Sequence, residues 1–262
     1  MRALLNALSP LIGAENELGG KAVSPGWAEK ASKEQVQEWS KRGTELVKEE
    51  MERIVEETCA VEYGRLMHKR LGLRRIDQDN ESKLAQPLLS LMRDHSLDFH
   101  GTFRHLCFFK PSIASSDDNR KAFIDSILKL TSEPNRLDPI RAQSDWSDWL
   151  RKYAARIESE RDHWDGEADV DAAREREAKG ANPRFVLRQW LLEEVIKKVE
   201  TDAESGKRVL AKVLQMACKP YEPWGAEGQE DDSGLDAEAR EERRYCGMGE
   251  RRLLGFQCSC SS

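Results

Sequence analysis

Apolar positions recur along the chain with a helical period, and no run of strict polar and apolar alternation is long enough to specify a strand. The pattern predicts an all-α fold. Ser32 followed by Gln35 forms a capping box, and Val47, Met51, Ile54, Val55 and Thr58 then mark one face of a helix from about Lys33 to Thr58. Helical character continues over Tyr63 to Arg70 and stops at Gly72, with Lys69 and Arg70 where cations favour a helix C-terminus. After a polar loop over Arg74 to Ser82, further helices are expected at about Lys83–His95, Asp98–Phe109, Asp117–Leu130, Ser144–Trp164 and Ala168–Lys179. Asn182 and Pro183 read as a cap and a first-turn proline. In the helix they would open, Phe185, Leu192, Val195, Ile196 and Val199 share a stripe that Trp190 and Leu191 widen. A last helix is expected over Lys207–Ala217, closed by Lys219 and Pro220.

The composition then shifts. From Tyr221 to Arg244 the chain is rich in Gly, Pro, Asp and Glu, and Glu227 to Glu242 holds eight carboxylates against one Arg. So little apolar surface does not offset the entropy of ordering, and the stretch reads as a flexible acidic linker. The expected organisation is a short helix and loop over 1–31, a helical domain over 32–220, the linker over 221–244 and a cysteine-containing tail over 245–262. The net charge of −6 sits almost wholly in the linker. The near-neutral remainder lacks the basic face that a nucleic-acid partner requires. No run approaches the roughly 18 apolar residues of a membrane span, and the short apolar stretch Ala3–Leu8 is not followed by a cleavage signal. Neither a nucleic acid nor a membrane is expected as a partner.

The familiar catalytic patterns fail residue by residue. Gly206-Lys207 looks like the end of a phosphate loop, but its first glycine would fall on Thr201. Gly247 and Gly249 begin a dinucleotide-type glycine pattern that ends on Arg252, and no strand precedes it. The His-Arg-Asp and Asp-Phe-Gly triplets of protein kinases do not occur. His95, His100 and His105 are evenly spaced, but five residues turn a helix by about 140°, which aims three rings at three faces. No metal site is expected. Adjacent acids such as Glu193 with Glu194 and Asp117 with Asp118 diverge around a helix and read as solvated faces. Of the six cysteines, Cys59, Cys107 and Cys218 lie in apolar helical patterns and read as buried thiols. Cys258 and Cys260, one residue apart in a polar tail, are the redox candidates, since access is a condition of thiol reactivity. A disulfide between them would close a strained small ring, so a more distant partner such as Cys246 suits either one better.

Three segments carry a resemblance. Asn182–Ile196, NPRFVLRQWLLEEVI, resembles the Asn-Pro-x-x-Val-Leu-Arg segment of the selenoprotein O family of protein adenylyltransferases. Tyr63–Leu73, ending in RLGL, resembles that family's Lys/Arg-Leu-Gly-Leu helix end. Leu97–Leu106 resembles its Asp-Phe-x-x-Thr-Phe-Arg segment at Asp98, Phe99, Thr102, Phe103 and Arg104. The terminal Cys260-Ser261-Ser262 is similar to the family's chain end, where animal members carry selenocysteine. Lys219–Trp224 and Arg252–Ser262 look especially like fungal members.

The resemblance implies the helical C-terminal part of a protein-kinase-like fold whose full-length members transfer AMP from ATP, with Mg2+, to Ser, Thr or Tyr of proteins. The family's nucleotide and metal ligands belong to segments upstream of those matched, so the resemblance assigns no catalytic, cofactor-binding or metal residue to this chain. It implies a structural role against the missing N-terminal kinase-like lobe, which residues 1–31 would join, and a redox role at Cys260 with Cys258. Protein substrates of the full-length enzyme and a mitochondrial location follow from the same resemblance. Two other readings stay open: a free-standing helical interaction module, and a small thiol-redox or metal protein using the Cys-x-Cys tail.

Overall fold

The computed structural model describes residues 2–77, 79–229 and 231–249, and all regular structure among them is helical. The expectation of an all-α chain holds for these residues. The chain divides into two compact units, Met1–Tyr63 and Gly64–Ser262.

The first unit contains α1 (Arg2–Glu17), the short α2 (Trp27–Lys30) and the beginning of α3 (Lys33–Arg70). The capping box forms as its residue types require: the Gln35 amide donates to Ser32 Oγ at 3.2 Å, and the Ser32 amide donates to Gln35 Oε1 at 2.9 Å. Small residues bring α1 against α3, with Ser9 Oγ 2.9 Å from Ser40 Oγ. A Cβ on Gly13 would lie 1.9 Å from Trp39 O, and one on Gly43 would lie 2.0 Å from Ser9 O, so this crossing requires glycine at both places. The helix predicted over Lys33 to Thr58 and the helical stretch over Tyr63 to Arg70 are one continuous element. It stops where Gly72 takes a φ of 62°.

The second unit is built on α8 (Pro139–Glu158). Asp138 caps it by accepting from the Ile140 and Arg141 amides, and Pro139 supplies the fixed φ of a first turn. Its inner face, Ala142, Trp146, Trp149, Leu150, Tyr153 and Ile157, is the spine of the main core. Around it pack a π-helical turn at Glu81–Ala85 continuing into α4 (Gln86–Asp94), then α5 (Phe99–Leu106), α6 (Pro111–Ala114) and α7 (Asp117–Leu128). Trp146 is wholly buried, and truncating a side chain of that size in a core costs about 3–5 kcal/mol. A 3-10 turn, Arg161–Trp164, leads to α9 (Val170–Ala181), α10 (Gln189–Thr201) and α11 (Ala203–Cys218).

A smaller second core joins Phe185, Trp190, Leu191, Val195, Val213 and Met216 to Tyr245. Tyr245 lies on α12 (Ala237–Cys246), inside the segments expected to be linker and tail. Within the segment expected to be linker, the described residues include most of this helix. Asp236 caps α12, Leu235 is buried, and Lys212 of the helical domain pairs with both Glu238 and Glu242. Composition counted the charges but missed their partners.

Two local expectations also change. Asn182 ends α9 instead of opening α10, and residues 183–188 are not helical. The amides of Arg184 and Phe185 donate to Pro220 O at 2.8 and 3.0 Å, which takes them out of any helical ladder. The buried arc of α10 is Trp190, Leu191 and Val195, while Leu192, Ile196 and Val199 are exposed. The apolar arc is therefore wider than the surface that α11 and α12 cover.

Candidate functional site

Both redox candidates, Cys258 and Cys260, lie outside the described residues. The suggested partner Cys246 ends α12, partly buried against the second core, and burial raises its thiol to about 11. At neutral pH such a thiol is almost wholly protonated and a poor nucleophile. Cys59 and Cys218 are exposed, contrary to the expectation of buried thiols, and only Cys107 of that trio is buried. Burial raises the Cys107 thiol too, against the opposing hydrogen bond from Asn182.

The three histidines do not share one helix. His95 caps the end of α4, and His100 and His105 lie on α5. His105 Nε2 is 2.7 Å from Ser126 Oγ, and burial lowers its pKa to about 4. Among the described residues no group of three or more His, Cys, Asp and Glu could hold a metal ion. The Gly206-Lys207 pair also has a packing explanation. A Cβ on Gly206 would stand 2.4 Å from Val199 Cα, so glycine lets α11 reach the backbone of α10.

The three quoted segments, far apart in sequence, meet at one buried polar junction. Asn182, wholly buried, donates through Nδ2 to Arg70 O at 2.7 Å and to Ala178 O at 2.9 Å, and its Oδ1 accepts from Arg70 Nη1 at 3.2 Å. Arg104 donates to Asn182 O at 2.5 Å and to Lys179 O at 2.9 Å. Its other face forms a two-pronged pair with Glu227, Nε to Oε1 at 2.7 Å and Nη2 to Oε2 at 2.5 Å, and both side chains are about 5% exposed or less. Asp98 caps α5 through the Gly101 amide and also pairs with Arg188 at 2.9 Å. These bonds run between segments, which fixes α3, α5, α9 and the Arg184–Arg188 stretch relative to one another within this unit. The resemblance pointed to Arg70, Arg104, Asn182 and Arg188. Glu227 was missed, because one acid among eight carries no sign of a buried partner.

This junction holds its helices together through buried hydrogen bonds and ion pairs. Comparison with known proteins gives the chain its place. Residues 30–217 match the family model described as protein adenylyltransferase SelO. The chain is 28% identical over 230 residues to the mitochondrial protein adenylyltransferase SelO of Schizosaccharomyces pombe, covering 85% of this chain and 35% of that protein. It is 32% identical over 153 residues to the protein nucleotidyltransferase YdiU of Xanthomonas campestris pv. campestris, covering 58% of this chain and 26% of that one. The YdiU of Cronobacter sakazakii is 28% identical over 160 residues, covering 61% and 27%. The chain thus spans about a third or less of the length of these relatives, and it belongs to the SelO family.

Proposed function

We propose that this chain is the helical C-terminal part of a SelO-type protein adenylyltransferase, that it carries no ATP or magnesium site of its own, and that it braces the kinase-like lobe that does. The observation that carries the reading is coverage: similarity runs over 85% of this chain but only 35% of the Schizosaccharomyces relative. AMP transfer requires metal ligands beside groups that neutralise phosphate charge and position a hydroxyl, and a chain with about a third of its relative's length supports placing that set in the remainder of the protein. The exposed apolar residues Leu192, Ile196 and Val199 on α10 and Leu210 and Leu214 on α11 support a bracing role, since apolar surface of this kind marks contact with another protein surface. In this reading ATP, Mg2+ and the protein substrates are bound by the kinase-like lobe, and the location is mitochondrial, as for the fission yeast relative.

The tail has a regulatory role in the same proposal. Cys260, with Cys258 as the alternative, forms a disulfide to a cysteine of that lobe and gates its activity. The test uses ATP labelled in the α-phosphate, given to this chain alone and to the chain joined to a SelO kinase-like lobe. Label transferred to protein only by the joined form is the expected result, and transfer by this chain alone defeats the proposal. For the tail, oxidant should change the activity of the joined form but not of its Cys260→Ser and Cys258→Ser double variant. Equal oxidant response in the two would remove the redox role.

A further inference from the structure

A cleft in the second unit holds more positive charge than its neighbours neutralise. Its volume is about 560 Å³, and its walls include Leu66, Lys69, Arg70, Gly72, Glu177 and Tyr221. Arg70 is half-buried on the last turn of α3, where its guanidinium stands over the rings of Phe99 and Phe103 at 5.3 and 5.5 Å. Its one side-chain hydrogen bond goes to the neutral Asn182 Oδ1, and among the described residues it has no carboxylate in ion-pair contact. Four of its five N–H groups are left without an acceptor among the described residues.

The other charges do not correct this. Glu177 is the one carboxylate on the cleft wall, and Arg74 engages both of its oxygens, at 2.5 and 3.3 Å. Lys69, next to Arg70, is exposed on the same wall. Behind Gly72 lies Arg174, wholly buried; a Cβ on Gly72 would meet its Cγ at 3.0 Å and its Nη1 at 3.2 Å. Arg174 donates to Tyr153 Oη and Phe109 O, both uncharged, and its Nε has no partner. Elsewhere in this unit the buried arginines Arg104, Arg120 and Arg156 each have a carboxylate: Glu227, Asp117 and Glu160. Among the described residues Lys69, Arg70 and Arg174 thus form a set of three cations without an ion-paired anion, and for the wholly buried Arg174 an uncompensated charge is destabilising.

We propose that this cleft binds a small molecule through a phosphomonoester group, with Arg70 donating to its oxygens, Lys69 supplying a second cation and Arg174 adding to the field from behind Gly72. The charge balance favours phosphate over carboxylate, since a phosphomonoester brings close to two negative charges and three acceptor oxygens while a carboxylate brings one charge. The planar guanidinium suits two-pronged contact with such a group. The cleft falls within the range of about 300–1,000 Å³ that holds small organic ligands and exceeds what a bare anion needs, so the apolar wall at Leu66 is left for the remainder of the molecule.

The test is amide chemical-shift titration of the whole chain with inorganic phosphate, glucose 6-phosphate and acetate in turn, at constant ionic strength so that general screening is held fixed. Saturable shifts centred on the Gly72, Ala181 and Tyr221 amides with both phosphates, and weaker binding of acetate, are the expected result. Tighter binding of glucose 6-phosphate than of inorganic phosphate would place the ligand's organic part in the cleft. Arg70→Gln should weaken phosphate binding by about tenfold or more. Lys69→Gln alters an exposed side chain outside the Asn182 junction, so it should keep the fold and still weaken binding. Unsaturable or scattered shifts, acetate binding as tightly as phosphate, inorganic phosphate matching glucose 6-phosphate, or unchanged affinity in folded Lys69→Gln and Arg70→Gln proteins would each overturn the proposal.

Discussion

Replacing Glu227 by Gln asks whether one buried ion pair holds the acidic segment onto the helical domain. The substitution keeps the shape of the side chain and removes its charge. In the wild type the carboxylate meets Arg104 through two hydrogen bonds with both groups almost wholly out of water. Removing one partner of such a pair leaves a buried guanidinium uncompensated, a loss of about 3–5 kcal/mol. Arg104 would retain the carbonyls of Lys179, Asn182 and Tyr221, which places the expected loss near the lower end, about 3 kcal/mol. For a unit of this size each kcal/mol lowers the melting temperature by about 2–4 °C, so a drop of about 6–12 °C is expected.

Calorimetry and urea denaturation measure the size of the effect, and limited proteolysis locates it. The Glu227→Gln protein should be cut first between Tyr221 and α12 under conditions where the wild type resists. Glu158→Gln is the matched control, because its pair with Arg161 is about half exposed and worth less than about 1 kcal/mol. Equal stability of the two variants, with no new cleavage after Tyr221, would refute the inference that Glu227 anchors this segment.

Three other expectations follow from single residues. His105, with its pKa lowered to about 4 by burial, is neutral when folded and takes up a proton when unfolded below its ordinary value near 6.5. Its contribution is therefore present at neutral pH and is lost as pH falls from about 6.5 toward 4, by about 3 kcal/mol in all; His105→Gln should flatten that part of a stability profile measured by urea titration. Gly206→Ala should destabilise the α10 and α11 pair by about 1–3 kcal/mol, read from the urea midpoint, since the added methyl meets the Val199 backbone; a neutral result would mean that the helices separate freely. Among the described cysteines, a thiol reagent at pH 8 should label exposed Cys59 and Cys218 well before Cys246, whose thiolate fraction there is about one in a thousand; mass spectrometry of peptides at successive times gives the order.

Periodicity located the longer helices between residues 33 and 218, because burying one face of a helix leaves a local mark at intervals of three and four residues. The Ser32–Gln35 box is legible for the same reason, since both partners lie within one turn. What failed depends on partners distant in sequence. Asn182-Pro183 has the composition of a helix start, and it becomes a helix end because Pro220 O takes the next two amides. The acidic run has the composition of a linker, and Lys212 and Arg104 convert several of its charges into attachments. Cys59 and Cys218 sit in apolar patterns on surfaces that nothing in their own unit covers, and a pattern does not state which part of an apolar arc is used.

The motifs shared with the family are a harder case, since segments that resemble a family of enzymes invite a catalytic reading. Here their polar atoms are consumed in holding one another: Asn182 by Arg70 and Ala178, Arg104 by Glu227 and three carbonyls, Asp98 by Arg188 and the Gly101 amide. A catalytic side chain needs a donor or acceptor free to meet substrate, so residues saturated in this way serve geometry. Arg70 departs furthest from this, since its backbone and one N–H belong to the junction while four N–H groups have no acceptor among the described residues; Thr102 Oγ1 and Arg188 Nε are also unpartnered there. Within a junction built from motif residues, the place to look for a ligand is the side chain whose hydrogen-bonding capacity the protein leaves unfilled.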